Sequence, residues 1–412
     1  MLVNDTSWSL TMKANRRYDI DALRVLAFGI LILYHCGMLF VPGWGWHIKS
    51  SYQIDALPTV MQFFNAWRMP LLFLVSGAAI ALANPQKRLA DFVSSRTFRL
   101  LFPLLMAMIF TVPLQAYVQA VANGSIDTGL LRFVVNYFTF QPWPQGAFDG
   151  SDVGFTWNHL WYLPYLFVYT LLLVGLLKLK TLMGLTLKSL SVSTVSFISA
   201  IFLVFIVALK LWVKPHFPET HALYNDWYAH PYYFGFFIFG YMLGRPACVN
   251  IWQKMAESRW VLLAVALSSF AIWSGLKQCN DLQVNLWLFA PAAGELKLNG
   301  ATYLLCGATI KTLVHSLYSV SMIATILAFG FKYLNKPDSA VARYSQAIFP
   351  WYILHQTLIV LLAYWLVPLR IGVVAEAVLV ISGTFIGCYM IYRYAIMPLP
   401  FLHSAFGIFS KK

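Results

Sequence analysis

Charge is scarce in this sequence. Only 11% of its 412 residues are Asp, Glu, Lys or Arg, and just 15 are acidic. A soluble domain carries about 25% charged residues. With 60% of the chain hydrophobic, too little polar surface remains to cover a globule of this length, which argues against a water-soluble fold. Cysteine is sparse as well. Cys36, Cys248, Cys279, Cys306 and Cys388 form no CxxC pair and follow no regular spacing. That argues against a disulfide framework or a zinc site, and no metal is expected. Internal repeats are missing and the two halves do not mirror one another, unlike transporters built from repeated units. The formal charge of +14 sits in short segments between apolar runs, so it reads as a topology signal and not as a nucleic-acid footprint.

Hydrocarbon is present in long runs. A helix crosses about 30 Å of bilayer core with roughly 20 residues, and inside lipid every backbone polar group must be paired within the segment or a closed barrel. Runs of this length predict helices. The expected spans are 23–42, 59–83, 100–121, 160–177, 190–213, 228–244, 259–276, 303–331, 347–368 and 373–396. The sixth is short and Gly-rich. A further apolar patch, Leu286–Ala293, is too short to cross. The run after Lys13, Arg16 and Arg17 is too long for a signal peptide and reads as a retained first helix. The fold class is therefore all-α: a polytopic transmembrane bundle of about ten spans, one domain over 1–412, with a segment 1–22 and a tail 398–412 at its ends.

Basic residues orient this bundle. With the N-terminus inside, every cytoplasmic segment holds at least three Lys or Arg and no opposite segment holds more than two. Both termini are therefore expected in the cytoplasm. The long loops 122–158, 214–227 and 277–302 then lie outside. They carry a "QPWPQGAFDGSD" stretch and His216, Glu219, His221 and Asp226. Long loops tend to carry function.

An ionisable group inside a span costs about 2.5–3.5 kcal/mol on insertion scales, so each such group points to a cavity or a partner. His35 lies about 10 Å and Arg68 about 13 Å from the outer ends of antiparallel spans. Lys311 and His315 stand one turn apart in the eighth span and are expected near the same depth, with no acid beside them. His355 and Gln356 lie within the ninth. A cationic cluster without an acid suits an anion or a developing oxyanion. For each residue taken alone, a packing role serves as well. Ser95-Arg96-Thr97-Phe98-Arg99 at the cytoplasmic mouth of the third span places two guanidinium groups on one helical face, a geometry that matches phosphate oxygens. His159-Leu160-Trp161-Tyr162-Leu163 opens the fourth span, where aromatic residues also belong on interfacial grounds alone.

Taken in order, these segments resemble the acyltransferase-3 family of membrane acyltransferases. Asp21-Ala22-Leu23-Arg24 followed by His35 is similar to the family's first signature, and Arg68-Met69-Pro70-Leu71-Leu72-Phe73-Leu74-Val75-Ser76-Gly77 to its second. Arg96-x-x-Arg99 with Pro103, His159–Leu163 and Tyr352-Ile353-Leu354-His355-Gln356 complete the set. Within the family, the Arg-Met opening of the second motif looks most like the glucan biosynthesis protein C branch, which succinylates osmoregulated periplasmic glucans. The sequence lacks the appended hydrolase-like domain of the enlarged branches.

The resemblance implies a bacterial inner-membrane O-acyltransferase with no permanently bound cofactor. Acyl-CoA, as succinyl-CoA or acetyl-CoA, would be its co-substrate, and a glycan hydroxyl its acceptor. His35 and Arg68 would be catalytic, with Arg96 and Arg99 holding the CoA phosphates. His159, Trp161, Lys311 and His355 would bind substrate, and Asp21 and Arg24 would brace the first helix. The bilayer, the acyl-CoA and the glycan are the expected partners, and a homo-oligomer is compatible with this reading. Direct transfer and a covalent acyl-His35 both remain open. The rival reading is a transporter or flippase of an anionic or lipid-linked solute. A purely structural membrane protein would leave the intramembrane charges without a purpose.

Overall fold

A computed structural model of the chain describes residues 17–83, 88–140, 142–184, 190–281 and 300–409, with the backbone alone described for 279–281 and 300–306. The apolar patch Leu286–Ala293 lies outside the described residues. The protein is all-helical, with 77% of residues in helices and no strand among the described residues.

Among the described residues, nine helical segments are long and apolar enough to cross a membrane. They contain α1 (Tyr18–Gly37), α2 (Leu57–Leu82), α3 with α4 (Leu89–Phe110 and Val112–Ala122), α6 (Tyr162–Leu182), α7 (Val192–Ala208), α10 (Arg259–Asp281), α11 (Gly300–Leu334), α12 (Ser339–Leu366) and α13 (Val373–Met390). Short α5 (Leu130–Tyr137) lies in the loop after α4. α8 (Ala229–Leu243) and the segment containing α9 (Val249–Glu257), which meet at a bend of 86°, add a tenth span when the two are taken as one. The protein is thus a multi-pass membrane bundle of nine to ten spans.

At 15 residues, α8 is about 22 Å long, shorter than the bilayer core. It is viable because it is enclosed by other helices. A Cβ on Gly240 would lie 1.9 Å from the Leu74 carbonyl oxygen, and one on Gly77 2.0 Å from that of Phe237. The backbones of α2 and α8 therefore touch through glycine, as small-residue packing allows where lipid offers no hydrophobic drive. Phe73, Tyr169, Tyr233, Phe236 and Phe237 fill the buried space around this contact.

Pro70 interrupts α2 two residues after Arg68. Proline lacks an N–H, so the Ala66 carbonyl loses its helical donor. Ser319 of α11 replaces it, its hydroxyl donating to Ala66 O at 2.5 Å. One turn earlier, the Tyr318 hydroxyl donates to Phe63 O at 2.6 Å. These bonds lock α11 against α2 in a defined register beside Arg68.

Helix caps follow local rules on the face where α1 begins, termed here the arginine face. Ser191 accepts the Thr194 N–H at 3.0 Å, and Asp338 accepts those of Ala340 and Val341. On the opposite face, the cavity face, α1 ends against Lys49. Its ammonium donates to the carbonyls of Met38 at 2.7 Å and Val41 at 2.5 Å. Partial burial holds the Lys49 ammonium below its usual pKa range.

Candidate functional site

A cavity of about 770 Å³ opens on the cavity face, where α1, α2, the start of α6 and α12 meet beneath three loops. Its lining includes His35, His47, Arg68, His159, Trp161 and Tyr162, drawn from sequence positions more than a hundred residues apart. Convergent polar groups in a pocket of this size mark a default active site.

The histidines are linked, and their hydrogen bonds specify where the protons sit. His355 Nδ1 lies 2.8 Å from Tyr352 O and 3.2 Å from Trp351 O. A carbonyl only accepts, so this nitrogen carries the hydrogen. In neutral His355, Nε2 is then a lone pair. It lies 2.9 Å from His35 Nδ1, so His35 Nδ1–H donates to it. The consequence is that His35 Nε2 keeps its lone pair, as a general base requires. The two rings lie nearly parallel, 5.1 Å apart. His159 repeats the arrangement: Nε2–H donates to Tyr352 O at 2.9 Å, and Nδ1 is buried without a partner. Tyr352 returns a hydroxyl bond to His159 O at 2.7 Å, which ties the start of α6 to α12.

His47 is a fourth member that the sequence motifs did not single out. Its Nδ1–H donates to Gln119 Oε1 and its Nε2 accepts from Gln356, each at 2.6 Å. The signal was available in part: Gln356 follows His355 in the last motif, and His47 closes a Trp44-Gly45-Trp46 run. Gln115 extends the polar core, donating to Thr357 at 2.6 Å and accepting from Asn158 at 2.9 Å.

Arg68 is 5% exposed, and its Nε and Nη1 are buried with no hydrogen-bond partner. Its guanidinium carbon stands 3.5 Å above the Tyr34 ring, a cation–π contact that offsets part of the cost of burial. A native protein rarely leaves buried donors unpaired. Orphan N–H groups on a cavity-lining arginine are free to donate to an anion.

Loop 214–228 forms one wall. Asp226 organises it, accepting the Tyr165 hydroxyl and the backbone N–H groups of Thr220 and His221. His221, Leu223 and Asn225 all adopt positive φ, a strained backbone of the kind that collects at functional sites. The His221 ring stacks on Trp161 at 4.0 Å. Burial lowers the pKa of His221, while Glu219 and Asp226 oppose that shift. Glu219, Asp149 and Asp152 also line the cavity. The expectation of a site without acids is corrected here, because the acids arrive on loops and not on spans.

Two further expectations are corrected. Lys311 does not line the cavity. The pairing of Tyr318 with Phe63 and Ser319 with Ala66 sets Lys311 about 15 Å nearer the cavity-face surface than Arg68. His315 accepts from Lys210 at 3.1 Å instead of joining the histidines. His355 is fully buried, bonded to His35, and does not border the cavity, a position that suits holding the His35 ring and not direct substrate binding.

On the arginine face, Arg24 lies 3.6 Å from Asp21 and donates to Ser345 at 2.7 Å. Arg24 and Arg96 are both within electrostatic reach of the Tyr162 hydroxyl, which bonds Ser76 at 2.5 Å. Arg99 is exposed, donating to Ser95 at 3.1 Å with Phe409 beside its guanidinium. Tyr162 also lines the cavity. It therefore stands between the arginines of one face and the histidines of the other.

Comparison with curated protein sequences and with solved structures gave no significant match. Residues 17–393 match the family described as acyltransferase domain, acyltransferase 3. That span contains every member of the histidine set, Arg68 and the arginine cluster, and the chain belongs to this acyltransferase family.

Proposed function

We propose that the protein carries an acyl group from cytoplasmic acyl-CoA to a hydroxyl of an extracytoplasmic glycan. The observation that carries this reading is His35, its Nε2 lone pair set by His355, in one cavity with Arg68, whose Nε and Nη1 have no hydrogen-bond partner. In this reading the arginine face is cytoplasmic, as the distribution of basic residues favours. The cavity face then opens to the periplasm of a bacterial inner membrane.

Arg96 and Arg99 hold the CoA phosphates, and Arg24 adds a third guanidinium. The acyl-pantetheine arm passes Tyr162 into the cavity. The acceptor enters between the loops, where Trp161, Trp157 and Trp46 offer stacking faces and Asp149, Asp152 and Glu219 offer acceptors to sugar hydroxyls. His35 Nε2 takes the proton of the acceptor hydroxyl as its oxygen attacks the thioester carbonyl. Arg68 N–H groups stabilise the oxyanion of the tetrahedral intermediate. The C–S bond then breaks, the oxyanion reforms the carbonyl, and the His35 imidazolium returns its proton to the departing CoA sulfur. Products are the acyl ester and CoA thiol. A succinyl group would place its second carboxylate near the same guanidinium, and an osmoregulated periplasmic glucan is the acceptor favoured by the motif set.

The test is purified protein in nanodiscs with succinyl-CoA or acetyl-CoA and a glucan acceptor. Acceptor-dependent release of CoA thiol supports the reading. Solute flux across vesicles with no thioester cleavage supports a transporter and overturns it.

A further inference from the structure

A second cluster of basic groups lies apart from the cavity, between α7 and α11. The helix that begins as α7 ends in a π-helical turn, Leu209–Val213, a local widening frequent at functional sites. That turn presents Lys210, whose ammonium donates to His315 Nδ1 and to Ser316 Oγ, both at 3.1 Å. Accepting at Nδ1, neutral His315 carries its hydrogen on Nε2, and Trp273 packs on its ring at 4.7 Å. The two segments run antiparallel. One turn beyond the Lys210–His315 pair, about 6 Å toward the cavity face, stand Lys214 on one side and Lys311 on the other.

Among the described residues, no carboxylate forms an ion pair with Lys210, Lys214 or Lys311. The nearest acid in charge terms is Glu219, which receives the Tyr233 hydroxyl at 3.3 Å and lies 3.9 Å from His221. Lys214 rests its ammonium 4.9 Å from the Tyr228 ring. The flanking residues face hydrocarbon: Val204 and Trp212 are 67% and 68% exposed, and Ile310 and Leu313 are exposed on α11. Trp212 marks the interfacial level, where its amphipathic ring belongs. Lys214 is exposed beside these residues, with Lys210, Lys311 and His315 partly buried behind it.

We propose that Lys210, Lys214, Lys311 and His315 form a binding site for the phosphate of an anionic phospholipid in the leaflet of the cavity face. A phosphodiester supplies the negative charge that the cluster lacks and acceptor oxygens for the ammonium hydrogens not given to His315 and Ser316, and its acyl chains lie along the exposed apolar residues of α7 and α11. Basic pockets between spanning helices recognise lipid headgroups in this way. Such a lipid neutralises a repulsive cluster and braces the π-helical turn that leads into loop 214–228.

Native mass spectrometry of the full chain, equilibrated with phosphatidylglycerol or phosphatidylcholine, tests the site. The wild type retains phosphatidylglycerol in preference to phosphatidylcholine. Lys214→Gln, at an exposed position that leaves the fold intact, lowers phosphatidylglycerol retention about fivefold, the equivalent of about 1 kcal/mol per basic residue at a membrane surface. Lys210→Gln with Lys214→Gln removes the preference, and Lys210→Arg keeps it. Equal retention of the two lipids by the wild type overturns the site, as does unchanged retention in Lys214→Gln. Displacement of phosphatidylglycerol by millimolar inorganic phosphate would assign the cluster to a soluble anion and overturn the lipid assignment.

Discussion

Replacing His355 with Phe tests the tautomer argument directly. The two rings are close in size, so packing against Tyr352 and His159 is largely kept. What is lost is the acceptor for His35 Nδ1–H at 2.9 Å. Leaving a buried donor unpaired costs about 1–3 kcal/mol. His35 escapes that cost by moving its hydrogen to Nε2, which removes the lone pair facing the cavity. The fraction of enzyme in the active tautomer, and with it kcat, falls by about 5- to 150-fold. His355→Gln puts an amide oxygen near the lost acceptor and recovers part of the loss. The assay is acceptor-dependent thioester cleavage in nanodiscs at saturating acyl-CoA, with KM for the donor measured alongside. The expected signature is a fall in kcat with donor KM unchanged within about twofold. A folded His355→Phe protein with wild-type kcat would refute the relay.

Arg96→Ala is expected to raise the KM for acyl-CoA roughly tenfold, since a hydrogen bond to a charged group contributes about 1.5–3 kcal/mol, with a smaller effect on kcat; steady-state kinetics checks it. Gly240→Ala is expected to destabilise the bundle by about 1–3 kcal/mol or more, because its Cβ would collide with Leu74 O at 1.9 Å; thermal unfolding in detergent measures it. His221 has a lowered pKa in the folded protein, so protonation favours the unfolded state. Its contribution is fully present above the unfolded value of about 6.5 and declines as pH falls below it. Melting temperature followed downward from pH 7 in wild type and His221→Phe should therefore show a shallower decline in the variant.

Much of the bundle was legible because hydrocarbon length is a composition property. The long spans follow from apolar runs, and even the short, Gly-rich α8 was visible as an anomaly. Its cause was not, since close backbone contact with Leu74 and Phe237 is a property of two helices. His35 and Arg68 line one cavity, a proximity that counting residues from the ends of two consecutive antiparallel spans makes legible. The same counting failed for Lys311. Its depth is set by where Tyr318 and Ser319 meet the carbonyls of Phe63 and Ala66, and the sequence does not state that register. The partners of His47 were likewise hidden, because Gln119 and Gln356 lie 72 and 309 residues away. The sequence pattern marked chemistry-bearing residues but not which nitrogen of each histidine faces the cavity.

The central claim is that His35 Nε2 is the base in an acyl transfer across this bundle. The most direct measurement is transfer of radiolabelled acyl groups from acyl-CoA to a glycan by purified His35→Ala protein, with folding verified by thermal unfolding. The account predicts loss of at least about a hundredfold in rate with acyl-CoA still bound. Near-wild-type transfer by folded His35→Ala protein would contradict it.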